Sequence, residues 1–102
     1  MAIPDYQTLM SPLLKLASDG RDHKKRDVVM ALSDEFQLTE DERSELLPSG
    51  NQAVMSNRVG WANTYLKKAG LLESPKRGYL RITPAGRKLL ATNPASVDNK
   101  TL

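Results

Sequence analysis

AVMSNRVGWANTYLKKAG, residues 53–70, is the stretch whose reading decides the fold. Apolar residues recur at Met55, Val59, Ala62, Leu66 and Ala69, a three/four spacing that gathers them on one side of a helix. Ser56, Gly60, Asn63, Lys67 and Lys68 fall on the opposite side, with Asn57, Arg58 and Thr64 flanking them. This outer side carries no acid. The lysines stand at the C-terminal end, where the helix dipole favours cations, and Gly70 supplies the stop. An apolar back and a polar, cationic front are what a DNA-recognition helix requires. Many ordinary surface helices share that pattern, so the flanking chain has to decide.

Downstream, Leu71-Leu72-Glu73 reads as a strand, residues 74–78 (SPKRG) as a tight cationic turn, and residues 79–83 as a second strand. Leu80 and Ile82 alternate there with Tyr79 and Arg81, the period of a half-buried hairpin. Thr83-Pro84 is an N-cap and first-turn pair opening a last helix through Leu89 and Leu90. From Thr92 on, TNPASVDNKTL has no apolar period and reads as a linker or frayed end.

Upstream, Tyr6, Leu9, Met10, Leu13, Leu14, Leu16 and Ala17 keep helical spacing until Asp19-Gly20. Pro12 either kinks this helix or starts a new turn after Ser11, and one kinked helix is preferred. The polar GRDHKK that follows leaves room for one extended residue pair. A second helix, near residues 26–36, buries Val28, Val29, Leu32 and Phe36. A third starts at Thr39, where Glu42 completes a capping box, and is expected to run to Leu46-Leu47 before Pro48-Ser49-Gly50 ends it.

The predicted fold is therefore mainly α with a small β-hairpin: a winged helix-turn-helix with one extra helix inserted before the recognition helix. Residues 1–91 form the domain, and residues 92–102 a flexible tail or interdomain linker. No internal repeat is visible.

A chain of 102 residues with 39% hydrophobic and 5% aromatic content can bury an aliphatic core without staples. It has no cysteine, which excludes disulfides, thiolate nucleophiles and cysteine-ligated zinc. No stretch approaches the roughly 18 apolar residues of a membrane span, and no secretory leader is apparent, so a soluble cytoplasmic protein is expected. The net charge of +3 is unevenly spread. Residues 34–47 hold Asp34, Glu35, Glu40, Asp41, Glu42 and Glu45 against Arg43. Residues 58–88 hold Arg58, Lys67, Lys68, Lys76, Arg77, Arg81, Arg87 and Lys88 against Glu73. Such asymmetry points to a nucleic-acid footprint on one face.

IPDYQTLMSPLLKLASDG, LTEDERSELLPSGNQ, and NRVGWANTYLKKAGLLESPKRGYLRIT followed by PAGRKLL resemble the N-terminal domain of Mrr-type restriction proteins, over roughly residues 3–91. LLPSG with NRVGWA and LKKAGLLE is the distinctive combination. The resemblance implies a DNA-binding winged helix usually followed by a separate restriction-endonuclease-like domain. It also implies target recognition, including of modified foreign DNA. On this reading the chain is the isolated module or a stand-alone relative, with double-stranded DNA and a C-terminal nuclease domain as partners.

A helix about 10–12 Å across fits the major groove. Gln52, Ser56, Asn57 and Arg58 lie near its start, with side chains suited to adenine (the amides) and guanine (the arginine). Asn63, Thr64, Lys67 and Lys68 follow, the lysines suiting phosphates. Lys76 and Arg77 at the hairpin tip and Arg81 on the second strand extend the patch, and phosphate contacts of this kind give affinity and register. Gly60 either lets the backbone approach DNA or lets another helix pack closely. Trp61 is expected at the core edge, as is Tyr65, whereas Tyr79 is open to solvent or sugar-phosphate contact.

Pro4-Asp5 and Asp22-His23-Lys24 spell a restriction-nuclease motif, but Asp5 opens a helix and Asp22 sits in a loop, with no central sheet to bring them together on Mg²⁺. No catalysis, metal or cofactor is expected, and His23 reads as an exposed loop residue. The competing class is a protein-interaction or dimerisation module. It would dock a partner domain or a second copy through the acidic segment and Leu46-Leu47, the basic face being incidental.

Overall fold

The computed structural model describes residues 3–92. Helix α1 (Tyr6–Leu16) ends in a 3₁₀ turn at Ala17–Asp19. Strand β1 (His23–Lys24) leads directly into α2 (Lys25–Glu35), and α3 (Glu40–Ser44) precedes the long α4 (Val54–Lys68). Strands β2 (Leu72–Glu73) and β3 (Tyr79–Ile82) form the hairpin, or wing, and α5 (Pro84–Ala91) closes the described chain. This is the element order of a winged helix with one inserted helix. The expected hairpin is part of a three-stranded antiparallel sheet of order β1-β3-β2, because the extended pair before α2 lies along β3.

The buried stripes meet in one core. Leu9, Met10, Leu13 and Leu14 of α1 face Met55, Val59, Ala62 and Leu66 of α4, with Val28 and Leu32 of α2 and Leu80 and Ile82 of β3 filling the remaining sides. All twelve are aliphatic or Met, so the helices are held by non-directional burial, worth roughly 1.5–3 kcal/mol for each large side chain. Leu80 and Ile82 point inward while Tyr79 and Arg81 lie half-buried outside, as the alternation in the sequence requires.

Helix α1 is one helix through Pro12. Asp5 caps it by accepting the Thr8 backbone N–H at 2.7 Å. The Thr39–Glu42 capping box forms with both of its hydrogen bonds, at 3.1 and 2.8 Å. Helix α3 nevertheless stops at Ser44 instead of reaching Leu46-Leu47. Glu45 turns extended, and Leu46 forms an antiparallel bridge with Ala53 flanked by Leu47 N–H to Gln52 O and Val54 N–H to Glu45 O. Gly50, with φ +75°, supplies the left-handed corner of that loop. Of the tail expected over residues 92–102, Thr92 caps α5, and the rest lies outside the described residues.

These caps carry a pH dependence. The Thr8 backbone N–H holds the Asp5 carboxyl below its ordinary range, and the Thr39 N–H does the same for Glu42. A carboxyl depressed in the folded state contributes its stability above the unfolded-state pKa and loses it as pH falls through the folded value. The urea midpoint should therefore fall as pH drops from about 5 toward 3. Asp5→Asn keeps the cap without the charge, so its profile should be flatter. An unchanged slope in this variant would remove Asp5 from the account.

Candidate nucleic-acid interface

Helix α4 buries Val54, Met55, Val59, Ala62 and Leu66, and its phase therefore sets what faces solvent. At about 100° per residue the centre of the outer face is Asn57, Gly60, Trp61, Thr64 and Lys68, one position round from the face read in the sequence. Ser56 and Asn63 lie on the half-buried flank, and Lys67 stays exposed. Asn63 Oδ1 is buried without a hydrogen-bond partner among the described residues.

Trp61 is the main correction: it is 50% exposed and not a core-edge residue. Tyr65 does pack against the core, stacked on Tyr6 at 4.9 Å between ring centroids, and the Trp61 indole leans on it at 6.2 Å. The three rings run outward from the core edge to the surface, and Lys68 Nζ stands 5.9 Å from the Tyr65 ring centroid.

Around Trp61 lies a shallow depression lined by Lys25, Gln52, Asn57, Gly60 and Thr64. Asn57 Nδ2 donates to Gln52 Oε1 at 3.3 Å, so the two amides act as one donor–acceptor unit. The Thr64 hydroxyl is engaged with Gly60 O at 2.9 Å. The neighbour at Gly60 comes from another helix, α2, in line with the second of its sequence readings. A Cβ there would meet Lys25 Nζ at 2.9 Å, so the end of the Lys25 side chain lies against α4 at this glycine.

Lys25 also lines a second depression, with Lys24, Arg26, Arg77, Gly78 and Tyr79. The start of α2 thus joins the α4 face to the wing tip, and no carboxylate lines either depression. The Lys25 backbone N–H donates to Gly78 O at 2.9 Å, which fixes that junction. Lys25 and Arg26 stand in the first turn of α2 with only Asp27 as a counter-charge, against the preference of the helix dipole. This run was missed in the sequence, where GRDHKK read only as a polar connector; its signal was cations placed at the wrong end of a helix.

Two arginines from the sequence list are already engaged. The Arg58 guanidinium donates to the backbone carbonyls of Ile3 and Pro4, fastening the segment before α1 to the flank of α4. Arg81 lies between Asp22 at 3.4 Å and Glu73 at 3.3 Å. At the wing tip Lys76 Nζ sits 4.2 Å over the Tyr79 ring, while Arg77 is exposed. His23 is not a loose loop residue: it is half-buried in β1 and meets Asp19 at 2.9 Å. Asp5 and Asp22, the acids of the nuclease spelling, are taken up as a helix cap and as a partner of Arg81.

Against known proteins, the model of the Mrr N-terminal domain family matches residues 6–92. The chain belongs to that family. It is 39% identical over 95 residues to the type IV methyl-directed restriction enzyme EcoKMrr of Escherichia coli strain K12, covering 92% of this chain and 31% of that enzyme. The chain thus spans under a third of the length of that restriction enzyme, and no solved structure matches it. Among the described residues no helix is long and apolar enough to cross a membrane.

Proposed function

We propose that this domain binds double-stranded DNA in the cytoplasm as the target-recognition part of an Mrr-like, modification-dependent restriction system, with cleavage left to a separate nuclease domain. The observation that carries the reading is the acid-free surface running from the amides of α4 through Lys25 to Arg26 and Arg77. Amide side chains suit base edges in the major groove, and cations on either side suit phosphates. Placing Lys25 and Arg26 against the α2 dipole is a local cost that a bound phosphate would offset. Residues 1–91 would form the binding unit, with Gln52, Asn57, Thr64, Lys67, Lys68, Lys76 and Arg77 on or beside the contact surface. Arg58 serves the scaffold instead, and Arg81 stiffens the wing.

The test is duplex binding followed by anisotropy across salt. Affinity should fall steeply between about 50 and 200 mM, each neutralised phosphate adding about 0.9 to the log–log slope. Salt-insensitive self-association with no duplex binding would overturn the proposal in favour of an interaction module. The assignment of Arg58 gives its own expected result. Arg58→Ala should lower stability by about 1–2 kcal/mol, since its charged hydrogen bonds to the N-terminal carbonyls are lost, and should leave the salt slope unchanged. A lowered slope with intact stability would return Arg58 to the DNA-contacting set.

A further inference from the structure

We infer that Trp61 is a specificity-determining residue that reads the C5-methyl group of a pyrimidine in the major groove, beside an adenine held by the Asn57–Gln52 amide pair. This rests on the DNA-binding reading above. An indole that is half exposed at the centre of the outer face of α4 sits among polar neighbours, where a phosphate-binding surface has no use for an apolar ring. In the major groove, however, the one apolar feature among the base edges is the C5-methyl of thymine, or of a cytosine methylated at C5.

The surroundings suit such a contact. The indole leans on Tyr65, which is itself held by stacking on Tyr6, so the ring is backed by a fixed aromatic neighbour and loses little freedom on binding. Gly60, one residue before it, adds no side-chain bulk beside the ring. Asn57 lies one turn earlier on the same face, already bonded to Gln52. An amide that can both donate and accept matches the N6 and N7 positions of adenine, and a thymine methyl is exposed on the same edge of the pair. The arrangement therefore favours an A·T pair, or a C5-methylated cytosine at the position of the ring.

The experiment uses the whole chain and duplexes enriched by it from a randomised pool. The enriched duplexes are resynthesised with deoxyuridine for each thymine in turn, and separately with 5-methylcytosine for each cytosine. Removing the critical methyl should weaken wild-type binding about fourfold, the worth of one apolar carbon taken from water. Alternatively, adding one to cytosine should strengthen it by a similar factor. Which arm responds distinguishes thymine from modified cytosine. Trp61→Gln should bind without methyl discrimination, and Trp61→Leu should keep part of it. As the chain has a single tryptophan, its emission reports directly: binding should protect it from acrylamide quenching.

Duplex binding with no methyl sensitivity in either arm would overturn the inference while leaving DNA binding intact. So would discrimination that survives in Trp61→Gln. A DNA-free dimer that Trp61→Gln converts to monomer would do so too, by assigning the ring to a second copy. No duplex binding at all would sink the parent reading instead.

Discussion

Lys25→Ala, Arg26→Ala and Arg77→Ala combined should reduce duplex affinity about 100- to 1,000-fold near 0.1 M salt and lower the salt slope by about 2–3. The three cations are grouped because they form the junction between α4 and the wing, and two of them stand where a helix dipole disfavours them. Their removal should accordingly leave the melting temperature unchanged or slightly raised, since the first turn of α2 is relieved of positive charge. Opposite signs for affinity and stability are the signature of residues kept for a ligand. A joint fall in both would indicate that these side chains hold the fold. An unchanged slope would show that phosphates lie elsewhere. The loss should be sequence-independent, in contrast to that of Trp61→Gln.

Gly86→Ala carries the largest expected effect on folding. Gly86 is buried in the first turn of α5, and its N–H reaches the Thr83 hydroxyl at 3.1 Å. A Cβ there would overlap the Leu71 carbonyl oxygen and come within 2.7 Å of Ile82 Cγ1. The carbonyl cannot give way cheaply, because it accepts the Thr83 N–H at 3.0 Å. That bond ties the start of the wing to its end. A methyl group at position 86 must therefore lift α5 off the hairpin or break the junction, at a cost of about 2–4 kcal/mol. Melting should fall by about 10–20 °C in a domain of this size. Ala85→Gly, at an exposed neighbour, controls for helix propensity and should cost only about 1 kcal/mol. Equal losses in the two variants would mean that the close approach of Leu71 carries no weight.

What could be read from the sequence was whatever depends on neighbours in the chain. The apolar stripe of α4, the Thr39–Glu42 box, the alternation at Leu80 and Ile82, and the Thr83-Pro84 start all act within a few residues, and all formed. Helix α3 was overrun because Leu46 and Leu47 look like a continuing stripe, whereas pairing with Gln52 and Ala53 takes them into an extended turn. Side-chain partners far along the chain were invisible. Arg58 finds carbonyls more than 50 residues away, and Arg81 finds Asp22 at a similar distance. Each of these guanidinium groups has partners within the fold that its own segment does not announce. Trp61 was misplaced by a small error in helical phase, its place next to Ala62 having put it at the core edge. Lys25 could not be found from its own segment, because its place beside the wing and α4 comes from contacts with Gly78 and Gly60, both far along the chain.

The pairing of β1 with β3 has a mechanical consequence. Lys24 is in register with Tyr79, and the next residue begins α2 while bonded to Gly78 at the wing tip. The hairpin is therefore no hinged arm: its tip is tied to the start of α2, whose Lys25 also borders the outer face of α4. A duplex bound as proposed would have to match that fixed arrangement. Where its groove is too wide or too narrow, the DNA must bend or twist to fit, and stiff sequences resist more than pliable ones. Selection by such a gauge would act on base pairs that no side chain touches.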